Sequence, residues 1–289
     1  VPADVEYHRV LAGPKRRILR GVLAIVLLLA GMVIFAQLFL AAAEAIDTQV
    51  LDRTGFTPLR QAAGSLSLAL LIPWSMLLQR VLYGVPAASL HSVTGRFRHG
   101  LLGRTLLAFA PLLLVAVAIP FLEPAETFPW TTADLVAFAL VTLVVTPLAA
   151  AGEEYGIRGL MFRVVGSWTR GARSGLVLGT VVTTVLFSLL HGTLDPYLLT
   201  TYFVLFGSMA VVTWRTGGLE VAIVLHAVYN TAGLLLALVL QQDIGGALEG
   251  RGEATGSLVY LVPSAALLVI TALVWWMTRR PGPARTPSA

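Results

Sequence analysis

Long apolar runs separated by short polar stretches make up most of the chain, and the runs have the length of membrane spans. Crossing a hydrocarbon core of about 30 Å takes about 20 mainly apolar residues in a helix. Runs of this kind occupy Val22 to Ala43, Gly64 to Tyr83, Leu101 to Leu122, Thr132 past the glutamates at 153 and 154, Gly175 to His191, Pro196 to Val212, Leu219 to Leu240 and Ser257 to Met277. The predicted fold class is therefore all-α, a polytopic membrane bundle of about eight transmembrane helices. Pro73, Pro111, Pro147 and Pro263 lie inside runs, where kinks are tolerated if neighbours satisfy the freed carbonyls. Asp195-Pro196 reads as the N-cap and first-turn proline of the sixth span. The first run lacks a small-residue cleavage site, so a retained first helix is expected.

Composition sharpens this picture. Hydrophobic residues make up 57% of the 289 and charged residues 12%, against about a quarter charged in soluble domains. The absence of cysteine excludes disulfides and thiolate metal sites. Lys15 stands alone beside a large excess of arginine, which points to a biased prokaryotic genome and a prokaryotic cell membrane.

The net charge of +5 is a topology signal and not a nucleic-acid signal. With eight spans and both termini on one side, every Lys and Arg except Arg53, Arg60 and Arg251 falls on the side of the termini, while most acids fall opposite. Positive charge marks the cytoplasmic side, so both termini are predicted to be cytoplasmic. Arg80, Arg96 and Arg98 read as charges near anionic lipid, and His8, His91 and His99 as water-facing. The organisation expected is a basic cytoplasmic leader (1–20), helices 1–3 (21–131), a core of helices 4–7 (132–240), a last loop and helix 8 (241–278) and a mobile C-terminal tail (279–289).

Candidate chemistry is concentrated at membrane level. Glu153, Glu154 and Arg158 close the fourth run, and ionisable residues inside membrane segments mark function. On a helix Glu154 and Arg158 stand one turn apart and can pair, whereas Glu153 is rotated away. An unpaired carboxylate in a dry site can serve as a base or a metal ligand. His191 follows Phe187 by four residues and His226 precedes Asn230 by four, so each pair shares a helical face. Glu153 and His191 are equidistant from the turn placed near Ala172, about 28 Å along each helix, which puts them level. His226 enters from the same side, with Asn230 one turn deeper.

These motifs carry a resemblance. Glu153-Glu154-Tyr155-Gly156-Ile157-Arg158, Phe187 to His191, and His226 to Asn230, in that order over about residues 132 to 240, resemble the CPBP family, also called Abi or type II CAAX prenyl endopeptidases, a group of intramembrane proteases. Ile157 stands where the family commonly has an aromatic residue, and Glu220 where apolar or aromatic residues are usual; Glu220 has no assigned role.

The resemblance implies an intramembrane endopeptidase acting on a membrane-embedded or lipidated protein or peptide, with the bilayer as its other partner and no nucleic acid. Glu153 with His191 can activate water, His226 and Asn230 can stabilise the oxyanion, and Glu154 would be held by Arg158. Glu153, His191 and His226 also form a candidate ligand set for one divalent metal ion, zinc, although their scatter over separate helices does not demand one. Two other classes remain open. A non-proteolytic family factor would act in peptide binding, bacteriocin immunity or partner regulation. A proton-coupled transporter would use the same buried acids, but no internal repeat accompanies them.

Overall fold

The computed structural model describes residues 1–288. Helix α1 (Ile18–Gln49) is longer than its apolar run because the polar residues at both ends continue the same backbone bonding. Thr57 caps α2 (Pro58–Ala69) by accepting from the Arg60 N–H, with Pro58 at the first helical position. It leads into α3 (Leu71–Tyr83), which stops at Gly84 with φ of 68°, a left-handed geometry that glycine adopts freely. Then come α4 (His99–Ala118) and α5 (Thr132–Val144), the latter capped by Thr131. The fourth span continues through α6 (Thr146–Glu154), a π-helical turn (Tyr155–Met161) and α7 (Phe162–Gly166). Helix α8 (Ala172–Leu189) precedes α9 (Pro196–Thr216), where the Asp195 side chain accepts from the Tyr197 and Leu198 N–H groups as its cap. The chain ends with α10 (Glu220–Val239), the short α11 (Ile244–Glu249) and α12 (Leu261–Met277). Among the described residues there is no strand, only three isolated bridges.

Eight helical stretches are long and apolar enough to cross a membrane, and they coincide with the eight predicted runs. The protein is a multi-pass membrane protein. Its outer helices present large apolar side chains outward, such as Val26, Val33 and Leu38 on α1 and Leu107 and Val115 on α4, as a surface facing lipid requires. The centre is α10, packed against α4, α5, α6 and α9. Residues Glu220 to His226 are buried without interruption, consistent with a helix apolar all round being enclosed on every side. Gly152 lets α6 touch α2: a Cβ there would collide with the Leu68 carbonyl oxygen. That contact lies directly before the acidic pair and fixes the height from which it projects.

The loops gather at the two ends of the bundle as the charge partition implied. At one end Val93 N–H donates to the Gly217 carbonyl (2.7 Å) and Leu219 N–H to the His91 carbonyl (3.0 Å). At the other, Phe128 N–H donates to the Gln241 carbonyl (2.7 Å) and Ser257 Oγ to Glu123 (2.8 Å).

Four expectations are corrected. The leader and the tail up to residue 288 are not mobile extensions but dock on each other: Thr286 N–H donates to the Val5 carbonyl (2.9 Å), Val5 N–H to Thr286 Oγ1 (3.0 Å), and Trp214 Nε1 to Glu6 (2.9 Å). Tyr7, Val10 and Leu11 supply the apolar anchor that a basic composition concealed. His8 does not face water but is fully buried, with Nε2 3.0 Å from the Ala172 carbonyl. Arg163, counted among the charges of the cytoplasmic side, lies inside the bundle: it donates to Gln79 Oε1 (3.1 Å), Ser89 Oγ (3.2 Å) and the Ser89 carbonyl (2.6 Å), and its guanidinium sits 3.9 Å over the Tyr7 ring. Arg98 is engaged with Glu220 and not with lipid.

Candidate active site

The site begins at the junction of α6 with the π-helical turn. Such wide turns interrupt an α-helix locally and recur at functional sites. Here the turn runs from Tyr155 to Met161, with one buried guanidinium group within it, Arg158, and another just beyond, Arg163. The Tyr155 hydroxyl meets His91 Nδ1. Burial holds the His91 imidazole below the usual histidine range, so it is neutral and can accept from that hydroxyl.

The two glutamates differ in access. Glu154 is fully buried, whereas the Glu153 side chain is 14% exposed. Glu154 Oε1 accepts from Arg158 Nη1 at 3.2 Å and lies 2.8 Å from His226 Nδ1. Since a carboxylate only accepts, His226 donates from Nδ1, which turns Nε2 toward Glu153, 3.5 Å from its Oε2. The predicted Glu154–Arg158 pair is therefore present, and His226 stands between the two acids.

Phe187 and Phe206 complete the floor. Each ring centre lies 4.9 Å from the Arg158 guanidinium carbon, and Arg158 Nη2 donates to the Phe206 carbonyl at 3.2 Å. A buried guanidinium over two aromatic faces gains a cation–π attraction beyond its ion pair. His191 lies two residues past the end of α8 and not within it. Its Nδ1 contacts the Phe187 carbonyl (2.8 Å), and its ring packs on Tyr202 (4.4 Å) and Phe206 (4.9 Å). Among the described residues His191 makes no hydrogen bond to Glu153 or His226; Phe187 and Phe206 lie beside both histidines. Asn230 is half-buried one turn after His226 on α10, and its side-chain amide has no protein hydrogen bond among the described residues.

Sequence reasoning missed Phe206 and Tyr202. Their four-residue spacing on α9 was the available signal, since it puts both aromatics on one face. It also left Glu220 unassigned. Glu220 is fully buried and takes three bonds from Arg98, from the backbone N–H and Nε to Oε1 (both 2.9 Å) and from Nη2 to Oε2 (2.6 Å). Ile157 is a core residue at 2% exposure, so its departure from an aromatic is a packing change.

A zinc ion needs about three protein ligands around one point. Among the described residues no three His, Asp or Glu side chains form such a group. The Nδ1 atoms of His191 and His226 are engaged, one with the Phe187 carbonyl and one with Glu154, which leaves only the Nε2 atoms for a ligand. As placed, Glu153, His191 and His226 do not form a fitted three-ligand set.

Residues 133–232, from the start of α5 into α10, match the family model described as Type II CAAX prenyl endopeptidase Rce1-like. This stretch is an Rce1-like domain. It contains all three motifs and the six candidate residues Glu153, Glu154, Arg158, His191, His226 and Asn230. No curated protein and no solved structure matches the chain significantly. Of the remaining long helices, α2, α3, α4 and α12 pack directly against this stretch, and α1 packs mainly on α2 and α3.

Proposed function

We propose that the protein is an intramembrane endopeptidase that hydrolyses a peptide bond of a membrane-associated protein or peptide by using Glu153 to activate water. The observation carrying this reading is the unequal pair of acids around His226, one sealed and one accessible. Arg158 and His226 Nδ1 hold Glu154 in place, so Glu154 positions the imidazole and does not itself react. Glu153 is the base, accessible and level with His226 Nε2.

In this reading Glu153 takes a proton from water as the oxygen attacks the scissile carbonyl. Negative charge then develops on the carbonyl oxygen, where donors fixed in advance stabilise it most in a dry site. The Asn230 amide, which has no protein partner, and the His226 imidazole beside Glu153 supply those donors. His191, oriented by the Phe187 carbonyl, helps hold the attacking water through its other nitrogen. When the C–N bond breaks, the proton on Glu153 passes to the leaving amine and the carboxylate is restored. The excess of Lys and Arg at the end that carries the termini, Arg98 and Arg163 supports a cytoplasmic assignment of that end.

Comparative proteomics of membrane peptides in cells carrying the wild-type or the Glu153→Gln protein tests the proposal. The expected result is a set of cleavage products that disappears with Glu153→Gln. Identical peptide profiles would overturn it and favour a non-proteolytic, peptide-binding factor.

A further inference from the structure

The three arginines on the side opposite the termini have unequal surroundings. Arg53 pairs with Asp134, and Arg60 lies beside Glu44 and Asp47. Arg251 has no carboxylate within ion-pair distance and no hydrogen bond among the described residues, although Glu249 and Glu253 stand two residues away on either side. Those acids are exposed, whereas Arg251 is half-buried.

Its loop explains the difference. The turn Gly250–Gly252 lies over the segment that follows His191: a Cβ on Gly252 would be 3.6 Å from the Gly192 carbonyl oxygen. Four residues on, a Cβ on Gly256 would fall 2.9 Å from Asp195 Oδ1, against the cap of α9. The loop is thereby seated on the rim of the site. Gly192 directly follows His191, so the turn that carries Arg251 lies against the His191 edge of the site. A guanidinium with a free donor fork beside a reaction centre is suited to a planar anion, which it can bind with two parallel hydrogen bonds.

We propose that Arg251 is a specificity-determining residue that binds a carboxylate of the substrate at the rim of the Glu153 site. The proposal rests on the peptidase reading for the name of the substrate, but the binding it describes does not require turnover. The carboxylate can be a chain terminus or an acidic side chain, and both offer the same two oxygens to the fork.

The test uses the full chain in lipid nanodiscs, with Glu153→Gln preventing turnover, and three fluorescein-labelled apolar peptides of one sequence. The first has a free C-terminal carboxylate, the second a C-terminal amide, and the third the amide with one glutamate near the end. A carboxylate peptide is expected to bind about 10- to 100-fold more tightly than the amide, the range for a hydrogen bond to a charged group. Preference for the first or the third peptide identifies the source of the carboxylate. Arg251→Ala should remove the preference, Arg251→Lys keep part of it, and Arg251→Glu reverse it. Equal or absent binding of carboxylate and amide forms, or a preference that survives Arg251→Ala, overturns the proposal. Cleavage by the wild-type chain is measured separately. A carboxylate preference without cleavage defeats the peptidase reading and leaves Arg251 in its role; cleavage without a preference does the reverse.

Discussion

Glu154 Oε1 lies 2.8 Å from His226 Nδ1 and 3.2 Å from Arg158 Nη1, so one fully buried oxygen joins the first and third motifs. Removing Arg158 would leave that carboxylate buried without its cation. Breaking one partner of a buried pair costs about 3 to 5 kcal/mol, and Arg158 also holds the Phe187 and Phe206 rings. Arg158→Ala is therefore expected to lower the melting temperature in detergent and to lose activity with it. Arg158→Lys should restore part of the stability, but it lacks the planar fork that reaches both Glu154 and the Phe206 carbonyl. Normal melting of Arg158→Ala would show that the pair is not a structural support.

The sequence made this contact legible because its residues are four apart on one helix, where spacing alone sets proximity. The eight spans were legible for a similar reason, since length and hydropathy are local properties. The Arg98–Glu220 pair was not, because its partners are 122 residues apart and neither belongs to a periodic pattern. The same holds for the leader and tail, joined across 281 residues by Val5 and Thr286. Counting charges assigned Arg98, Arg158 and Arg163 to one end of the bundle but could not say that each points inward. His191 was found by its motif, while the Tyr202 and Phe206 rings that seat it belong to a helix with no motif of its own.

Glu220 is sealed and Arg98 is 25% exposed, which makes the two single substitutions unequal. Arg98→Ala leaves a buried carboxylate without its cation and should destabilise the protein by about 3 to 5 kcal/mol. Glu220→Gln removes the charge but keeps an acceptor for the Arg98 backbone N–H, so its loss should be smaller. The double variant Arg98→Met/Glu220→Leu should regain much of the stability lost by Arg98→Ala, because no charge is then left unpaired. A double variant that melts no higher than Arg98→Ala in detergent would mean that the unpaired charge is not the source of the loss.

His8 gives the fold a pH dependence of definite sign. Burial, opposed by the bond to Ala172 and by nearby Glu6, holds its imidazole below the ordinary value of 6.5. Between that value and the lower folded one, the unfolded chain binds more protons than the folded chain, so stability rises with pH across this window. The His8 contribution is complete above about 6.5 and is lost as pH falls toward the folded value. Melting temperatures at pH 7.5 and 5.5 should therefore differ more for the wild-type chain than for His8→Gln, whose side-chain amide can still donate to the Ala172 carbonyl. Equal slopes in the two proteins would remove His8 from the account of acid stability.

Asn230 separates two accounts of the same site. It shares a face of α10 with His226, one turn on, and its side-chain amide has no protein partner among the described residues. If it donates to the oxyanion, Asn230→Ala should reduce kcat by about 100- to 1000-fold, the usual loss for one such donor, with little change in KM. If it instead holds the bound peptide, KM should rise while kcat stays near its wild-type value. Chelation distinguishes the metal-bound alternative in the same assay. With water activated by Glu153 alone, purified protein should retain its rate after a strong chelator, and added zinc should not raise it. Loss of the rate on chelation and its return with zinc would require Glu153, His191 and His226 to move together around an ion, because their present arrangement does not provide a three-ligand group.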